Sequence, residues 1–299
     1  MQNKYITTFF FILVSIGFIF LNSCNNDADD FPAIAEDKEI LEINVVHHIS
    51  RDDNGENPTT TISNVNLMMT FLNNNFNQWN IRFVTKEVKP VNNTAWNRGF
   101  IRQDDLRSRR DLLPFEDAQS LNIFYFNRLS DRQSDNTLET IDATALRPNE
   151  GNNIKLGRAA FEPNNTATLT HEVGHYLGLF NTSENIQDPN GNLELVDGSN
   201  ATVAGDLIAD TPASPVLNET NIDETNCAYI GTETDENGML YTPDTFNFMT
   251  QWTGRGVNNM LCRSRFTPGQ VEKMRRVIRN ERAILIGLNT EIAKQKNPN

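Results

Sequence analysis

Two histidines four residues apart, with a glutamate directly after the first, form the stretch HEVGH at residues 171–175. On an α-helix, residues four apart lie on the same face, so His171 and His175 can present two imidazoles to one zinc ion. Zinc lowers the pKa of a bound water molecule towards about 7 and polarises a peptide carbonyl. Glu172 is the candidate general base for that water and then the general acid for the leaving amine. The pattern predicts zinc-dependent hydrolysis of peptide bonds.

The surroundings of this motif favour a metal site over an ordinary amphipathic helix with two surface or core histidines. A helix is predicted over residues 168–180, and Gly178 tolerates the left-handed turn that ends a helix. The chain has four histidines, and the other two, His47 and His48, lie on a predicted strand. We expect these two to be structural, the alternative being that one of them completes a metal site.

The rest of the chain predicts an α/β arrangement in which part of the sheet is parallel. Three segments rich in β-branched and apolar residues are predicted strands, at 39–50, 81–85 and 121–127. Apolar residues at helical spacing predict a helix that is capped by Ser63 and runs through Gln78. A last helix is predicted from Thr267, because Thr-Pro-Gly-Gln supplies a capping hydroxyl, a proline in the first turn and a glutamine three residues after the cap. Residues 181–265 show little periodicity and predict long loops.

Length and charge narrow the classes of function. The 299 residues suit one large domain or two closely joined subdomains, and 38% hydrophobic residues are enough for a core. The formal net charge is −13, from 26 Lys and Arg against 39 Asp and Glu. An acidic surface excludes nucleic acid as the main partner, because phosphate binding needs a basic face.

The N-terminal sequence predicts export. Residues 1–23 are interpreted as a signal peptide, with Lys4 ahead of the apolar run 9–21. The alternative is a membrane anchor, but the run is short for the roughly 20 residues that span a bilayer. LNSC resembles a bacterial lipoprotein box with Cys24 as the lipidated residue, which would hold the protein on a membrane. The polar, acidic stretch 24–38 predicts a flexible tether.

Two further cysteines, Cys227 and Cys262, lie in the predicted loop region and at its end. In an exported protein two such cysteines are expected to form a disulfide. The alternative is a pair of buried free thiols.

Four motifs in the same order resemble one protease family. HEVGHYLGLFNTSE, from His171, resembles the zinc helix HExxHxxGxxH of the metzincin metalloproteases, and more closely that of the pappalysin (cytophagalysin) family. The other three are DLIADTP, like the family's Asp-Thr-Pro segment, NFM, like its Met-turn, and FTPGQ, like the start of its last helix. They lie at 206–212, 247–249 and 266–270. The cysteine pair brackets the Met-turn, as in members of the family.

The resemblance implies a zincin-like metzincin fold, α/β in class, over residues 39–299. An upper subdomain, 39–180, would hold a twisted mixed sheet and two long helices. A smaller, irregular lower subdomain, 181–285, would hold the Met-turn at Met249 and the C-terminal helix, and 286–299 would form a tail. Some Bacteroidetes members of the family are lipoproteins, in agreement with the box at Cys24.

The resemblance also implies two kinds of metal ion. Zinc would be bound by His171, His175 and a third ligand. Calcium would bind in the lower subdomain, where Asp206 and Asp210 offer hard oxygen ligands. The acidic run 233–236 offers more of them, although solvated acidic loops are the simpler interpretation of that run.

Two positions depart from the family pattern. Asn181 stands where the third zinc-binding histidine is expected, and a neutral amide oxygen is a weaker zinc ligand than imidazole. Gln251 stands where many members have a tyrosine that steadies the reaction intermediate. Glu184 and Asp188 are alternative third ligands, but neither has the family spacing.

These observations predict a secreted, lipid-anchored zinc endopeptidase that acts on extracellular polypeptides. We expect a monomer on the outer membrane, exposed at the cell surface. The alternative is a metalloprotease-like peptide-binding protein with weakened or lost catalysis, which Asn181 and Gln251 favour. A structural lipoprotein of the envelope is a more distant third. Glu172 favours the enzyme, because a protein that no longer hydrolyses peptides does not need this carboxylate.

Overall fold

A computed structural model describes residues 39–98, 101–102, 110–132, 137–161, 165–253 and 262–287. The chain divides into two units, Met1–Asp37 and Lys38–Asn299, and every described residue lies in the second. The predicted signal peptide, the tether and nearly all of the tail therefore lie outside the described residues. Within the described ranges, no helix has the length and apolar character needed to cross a membrane.

Helices and strands are frequent in the described residues up to Tyr176 and rare after it. The described strands are β1 (Leu41–Arg51), β2 (Ile81–Asn92), β3 (Ile101–Arg102), β4 (Leu121–Tyr125), β5 (Leu129–Arg132), β6 (Leu138–Ile141), β7 (Ala143–Ala145), β8 (Asn153–Leu156), β9 (Ile222–Asp223) and β10 (Ala228–Tyr229). The described α-helices are α1 (Ile62–Phe76), α2 (Thr94–Arg98), α3 (Thr166–Tyr176) and α4 (Pro268–Asn280). Short 3-10 helices cover Asn77–Trp79, Leu113–Phe115, Arg158–Phe161 and Ala283–Ile286.

A five-stranded mixed sheet with the order β2-β1-β4-β8-β7 forms the centre of the fold. β1 pairs in parallel with β2 and β4, and β4 pairs in parallel with β8. β7 is antiparallel to β8 and ends the sheet. The predicted α/β class and the mixed sheet are confirmed. A second, three-stranded sheet has the order β3-β5-β6.

The predicted strands are present, and β2 is longer than expected. The prediction ended at Thr85, where the apolar sequence gives way to polar residues. The structure continues the strand to Asn92, because these residues pair with β1 beyond a register shift between Val45 and Val46. Backbone hydrogen bonding, rather than burial, extends the strand, so hydrophobic periodicity underestimates its length.

The N-cap of helix α1 lies two residues before the predicted cap. Thr61 is the N-cap, and its hydroxyl accepts a hydrogen bond from the Asn64 amide at 3.2 Å. The predicted cap, Ser63, lies inside the first turn, so that prediction is wrong. Both residues carry a capping hydroxyl, so residue type alone does not decide between them.

The capping box of the last helix is confirmed. The Thr267 hydroxyl accepts from the Gln270 amide at 3.2 Å, and the Gln270 side chain accepts from the Thr267 amide at 3.0 Å. Val271, Met274 and Ile278 are buried in the same core as the central sheet, α1 and α3. Helix α4 therefore shares the main core, although it follows the long irregular region.

His47 and His48 are buried on β1, and both have hydrogen-bond partners inside the fold. His47 lies 2.8 Å from the Tyr125 hydroxyl, and His48 lies 3.0 Å from the Asn122 side-chain oxygen. Burial lowers the pKa of His47 to about 3, so its ring is neutral at ordinary pH. These contacts agree with a structural role for both histidines.

Candidate active-site cleft and metal centre

Helix α3 presents His171 and His175 with their ring orientations set by backbone carbonyls. His171 Nδ1 donates to the Phe248 carbonyl at 2.7 Å, and His175 Nδ1 donates to the Leu179 carbonyl at 2.9 Å. A carbonyl only accepts, so Nδ1 carries the proton and Nε2 keeps its lone pair in both rings. The ring centroids lie 4.6 Å apart. Two Nε2 atoms are thus available to one metal ion, with their second nitrogens held as in known metal sites.

Gly178 turns the chain so that Asn181 enters the same cleft as the two histidines. Its φ is +90°, a left-handed conformation that disfavours other residues. Asn181 lines the cleft with His171 and His175. The side-chain oxygen of Asn181 is buried and has no hydrogen bond of good geometry to a described residue, although the Asn181 side chain lies near enough to His175 to raise the pKa of that ring. A buried acceptor without a partner fits a cation, because such a group is costly unless something else satisfies it.

Glu172 is a buried carboxyl group in the same cleft. It is 6% exposed, and burial raises its pKa to about 8. The positive charge of Arg263 opposes this shift, whereas the negative charge of Asp142 adds to it. Burial likewise lowers the pKa of His175 to about 4, which favours the neutral ring that binds metals. The site thus holds neutral imidazoles beside a carboxyl group that titrates near neutral pH.

The Met-turn fastens the helix to the chain that carries Asn181. The Phe248 carbonyl holds His171, and the Met249 carbonyl accepts from the Thr182 amide at 3.0 Å. Met249 is fully buried beneath Gly174, where an added Cβ would lie 2.4 Å from the Met249 sulfur. The role of Gly174 was not predicted from the sequence, although its position between the two histidines of the motif could have indicated a close approach to the helix. It allows the turn to approach the helix this closely.

The cleft has a volume of about 640 Å³ and combines the motif residues with one edge of the sheet. Strand β7, which ends the sheet, lines one part of it. Gln251 lines it too, in agreement with its place two residues after the Met-turn methionine. Arg263 also lines the cleft and was missed by the sequence analysis, since it lies in a segment without periodicity.

The two alternative ligands do not line this cleft. Glu184 pairs with Arg147 at 3.7 Å. Asp188 accepts from the Asn190 and Asn192 amides at 2.8 and 2.9 Å and so closes a local turn. Across the described residues, no group of three or more His, Cys, Asp or Glu side chains is placed to hold a metal ion. Of the candidate ligands from the sequence, His171, His175 and Asn181 share the cleft.

Asp206 lies beside Glu194, which the sequence analysis did not single out. Both are buried, and each has one carboxylate oxygen without a hydrogen-bond partner in the described structure. Burial raises the pKa of Asp206 to about 7 and that of Glu194 to about 8. Asp210, the other predicted calcium ligand, instead accepts from the Thr267 hydroxyl at 2.7 Å and the Gly269 amide at 2.8 Å. The Asp210 carboxylate thus accepts hydrogen bonds from the start of α4, whereas the negative charge of Asp206 adds to the raised pKa of Glu194.

Cys227 and Cys262 form the predicted disulfide, with their Cα atoms 5.7 Å apart. Both sulfurs are buried in a small cluster with Trp252. The chain after Cys262 is tied to the Met-turn, since the Phe248 amide donates to the Arg265 carbonyl at 2.7 Å. The disulfide thus anchors the segment that contributes Arg263 to the cleft.

Sequence comparison agrees with this geometry. Residues 140–279 match the model of the peptidase M43 family, described as pregnancy-associated plasma protein-A. The chain is 24% identical over 245 residues to an extracellular metalloprotease of Arthroderma gypseum, covering 78% of this chain and 70% of that protein. It is 24% identical over 224 residues to an extracellular metalloprotease of Arthroderma benhamiae, covering 71% and 69%.

Among solved structures, the chain is similar to metalloproteinase-II from Bacteroides fragilis. It is 13% identical, with a TM-score of 0.29, over 50% of this chain and 45% of that one. The chain thus spans less than half the length of that structure, and a TM-score of this size is too low to bear on the fold. The family match includes the HEVGH helix, the Met-turn and the start of α4. Over residues 140–279 the chain is similar to the pappalysin (peptidase M43) family, in agreement with the motifs of the sequence.

Proposed function

We propose that this protein is a zinc endopeptidase that hydrolyses extracellular polypeptides, with Glu172 as general base and then general acid. The observation that carries the proposal is the pair of histidines whose Nδ1 atoms are held by carbonyls, next to a buried glutamate in an open cleft. His171, His175 and Asn181 would hold the zinc ion. When bound, zinc polarises the peptide carbonyl and acidifies water.

Glu172 does the proton transfer in this proposal. Its carboxyl group lines the cleft one residue after His171, within reach of a water molecule that attacks the peptide carbonyl. A pKa near the working pH lets one group take a proton and then give it up. Glu172 therefore passes the proton from the water to the leaving amine.

Strand β7 supports a polypeptide as the substrate. It ends the sheet and lines the cleft, so its outer backbone groups face the space beside Glu172. An extended peptide can pair with such an edge strand through its main chain. This mode of binding holds a peptide bond near the histidines with little dependence on the peptide's sequence.

The test is Glu172→Gln, which keeps the side chain's shape but cannot accept the proton. We expect kcat/KM on a quenched peptide library to fall by about 10²–10⁴-fold, with zinc per chain unchanged. Glu184→Gln is the matched control, because that glutamate lies outside the cleft, and it should keep the activity. Equal cleavage by the Glu172→Gln variant and the unaltered protein would exclude Glu172 as the base.

The second candidate is a peptide-binding protein without catalysis, and Asn181 is the observation that favours it. An amide in place of imidazole weakens zinc binding. This candidate predicts that the unaltered protein binds library peptides but cleaves none at saturating zinc. The same assay therefore separates the two functions.

Two finer features complete the proposal. Lipidation of Cys24 would anchor the chain on the outer membrane at the cell surface. This rests on the LNSC sequence, and the extracellular relatives agree with export. Calcium would bind at Asp206 and Glu194, supported by their buried, unsatisfied oxygens, which are hard ligands.

A further inference from the structure

Arg263 is a buried cation in the wall of the cleft, and it forms no salt bridge with any described residue. It is 5% exposed, and its hydrogen bond is from Nη2 to the Thr168 hydroxyl at 3.2 Å. Burial lowers its pKa to about 10, so it stays charged at neutral pH. Buried charges are normally paired, because an unpaired one is expensive to take out of water. A partner for this guanidinium is therefore expected from outside the described chain.

The nearest carboxylates do not fill that role. The negative charges of Glu172 and Asp142 both raise the pKa of Arg263 through space, but neither carboxylate forms a salt bridge with it. Asp142 accepts a hydrogen bond from Asn165 at 3.4 Å instead. A guanidinium has five N–H donors, and the described hydrogen bond uses one of them. The remaining donors are available to a molecule in the cleft.

The backbone around Arg263 is held on both sides, so its position is fixed before any ligand arrives. Cys262 is in the disulfide. The Ser264 amide donates to the Phe246 carbonyl at 2.8 Å, and the backbone of Arg265 forms an isolated β-bridge with that of Asn247. A charge held in place in advance costs less to use in binding than one on a free loop.

Helix α3 sets the distance between Arg263 and the reacting bond. Thr168, which contacts Arg263, lies four residues before Glu172 and therefore on the same helix face. Four residues span about 6 Å along a helix. A peptide bond beside Glu172 would therefore have a neighbouring side chain, or its own chain end, within reach of the guanidinium.

We propose that Arg263 binds a carboxylate of the substrate and so selects peptides with an acidic group next to the cleaved bond. The position of that bond rests on the proposed function. A guanidinium matches a carboxylate through two parallel hydrogen bonds, and burial strengthens them. The carboxylate is either the side chain of Asp or Glu or a free C-terminus.

The test uses peptides that differ at one position, Glu against Gln, placed in turn on each side of the bond. Each is made with a free or an amidated C-terminus, to separate the two sources of carboxylate. We expect the unaltered protein to favour the carboxylate at one position by at least about 10-fold in kcat/KM. In Arg263→Gln the ratio of the Glu peptide to the Gln peptide should fall to about one. The readout is this ratio and not the absolute rate, because Arg263 also acts on the pKa of Glu172.

Two further variants separate selection from folding. Arg263→Lys keeps the charge and should retain part of the preference. Arg265→Gln removes an exposed arginine two residues away, paired with Asp244 at 2.7 Å, and should keep all of it. A carboxylate preference that survives in Arg263→Gln, or its absence from every peptide cleaved by the unaltered protein, overturns the proposal.

Failure of the proposed function gives a different result. If no peptide is cleaved at saturating zinc, the same ratios are measured as binding affinities for the chelator-treated protein. A preference for carboxylate that Arg263→Gln loses supports the role of Arg263, although hydrolysis has failed. Equal affinity for the Glu and Gln peptides, and for peptides with a free and an amidated C-terminus, overturns the proposed role of Arg263.

Discussion

Replacing Asn181 by histidine should tighten zinc binding. The Asn181 oxygen is buried beside His175 and has no hydrogen bond of good geometry to a described residue, so the substitution removes at most a weak contact with His175. The cleft, at about 640 Å³, has room for the larger imidazole. A third imidazole donates more charge to zinc than an amide oxygen does.

The size of the effect follows from the ligand position. Loss of a group that only orients a ligand costs about 10–100-fold in metal affinity, and gain of a direct ligand should give at least that. A 10–100-fold change is about 1.4–2.7 kcal/mol. At equal excess zinc, the same free energy adds to the stability of the folded protein. For a domain of this size, at roughly 2 °C per kcal/mol, the melting temperature should rise by about 3–5 °C.

The assay is a competition titration with a zinc chelator, followed by melting curves with and without zinc. Asn190→His is the matched control, because this asparagine is exposed on a turn outside the cleft. Peptide cleavage by the unaltered protein should rise with added zinc, whereas the Asn181→His variant should need less. If Asn181→His binds zinc no more tightly than the unaltered protein, Asn181 is not at the metal and the reasoning fails.

Three other predictions concern packing, calcium and location. Gly174→Ala should lower the free energy of unfolding by about 1–3 kcal/mol in denaturant melts, because the new Cβ would lie 2.4 Å from the Met249 sulfur. Adding Met249→Ala to the same chain should recover part of that loss. No loss in the Gly174→Ala variant would show that Met249 moves freely. Without calcium, stability should fall as the pH rises from about 4 to about 8, since the raised pKa values of Asp206 and Glu194 favour folding while these groups are protonated. Added calcium should remove this fall in stability in the unaltered protein but not in the Asp206→Asn variant. An equal effect of calcium on both proteins would argue against a calcium site at Asp206. Cys24→Ser should move the protein from membranes to the medium on cell fractionation, and an unchanged distribution would refute lipidation.

Local sequence was sufficient for the elements that carry the zinc motif. The spacing of His171 and His175 placed both on one helix face, since that depends only on helical geometry. Gly178 marked the turn because few other residues adopt its φ of +90°. The capping box at Thr267 was equally readable, because a cap involves residues within one turn of each other.

Tertiary structure decided which distant residues share the cleft. Arg263 contacts Thr168 across 95 residues, and no periodic pattern around Arg263 indicates this. For the same reason, nothing in the sequence indicated that the buried carboxyl groups of Glu194 and Asp206 lie near each other. Charged residues in an irregular segment look alike in sequence whether they are solvated or buried, and only packing separates them.

The sequence by itself determined the chemistry on offer, namely two imidazoles, a carboxylate and an amide at the third position. These follow from residue type and short spacing, which the backbone converts directly into geometry. The tertiary structure decided their environment: burial that shifts the pKa of Glu172, the Met-turn beneath Gly174, and the cation at Arg263. Environment depends on contacts between segments far apart in the chain, and these form only when the core closes.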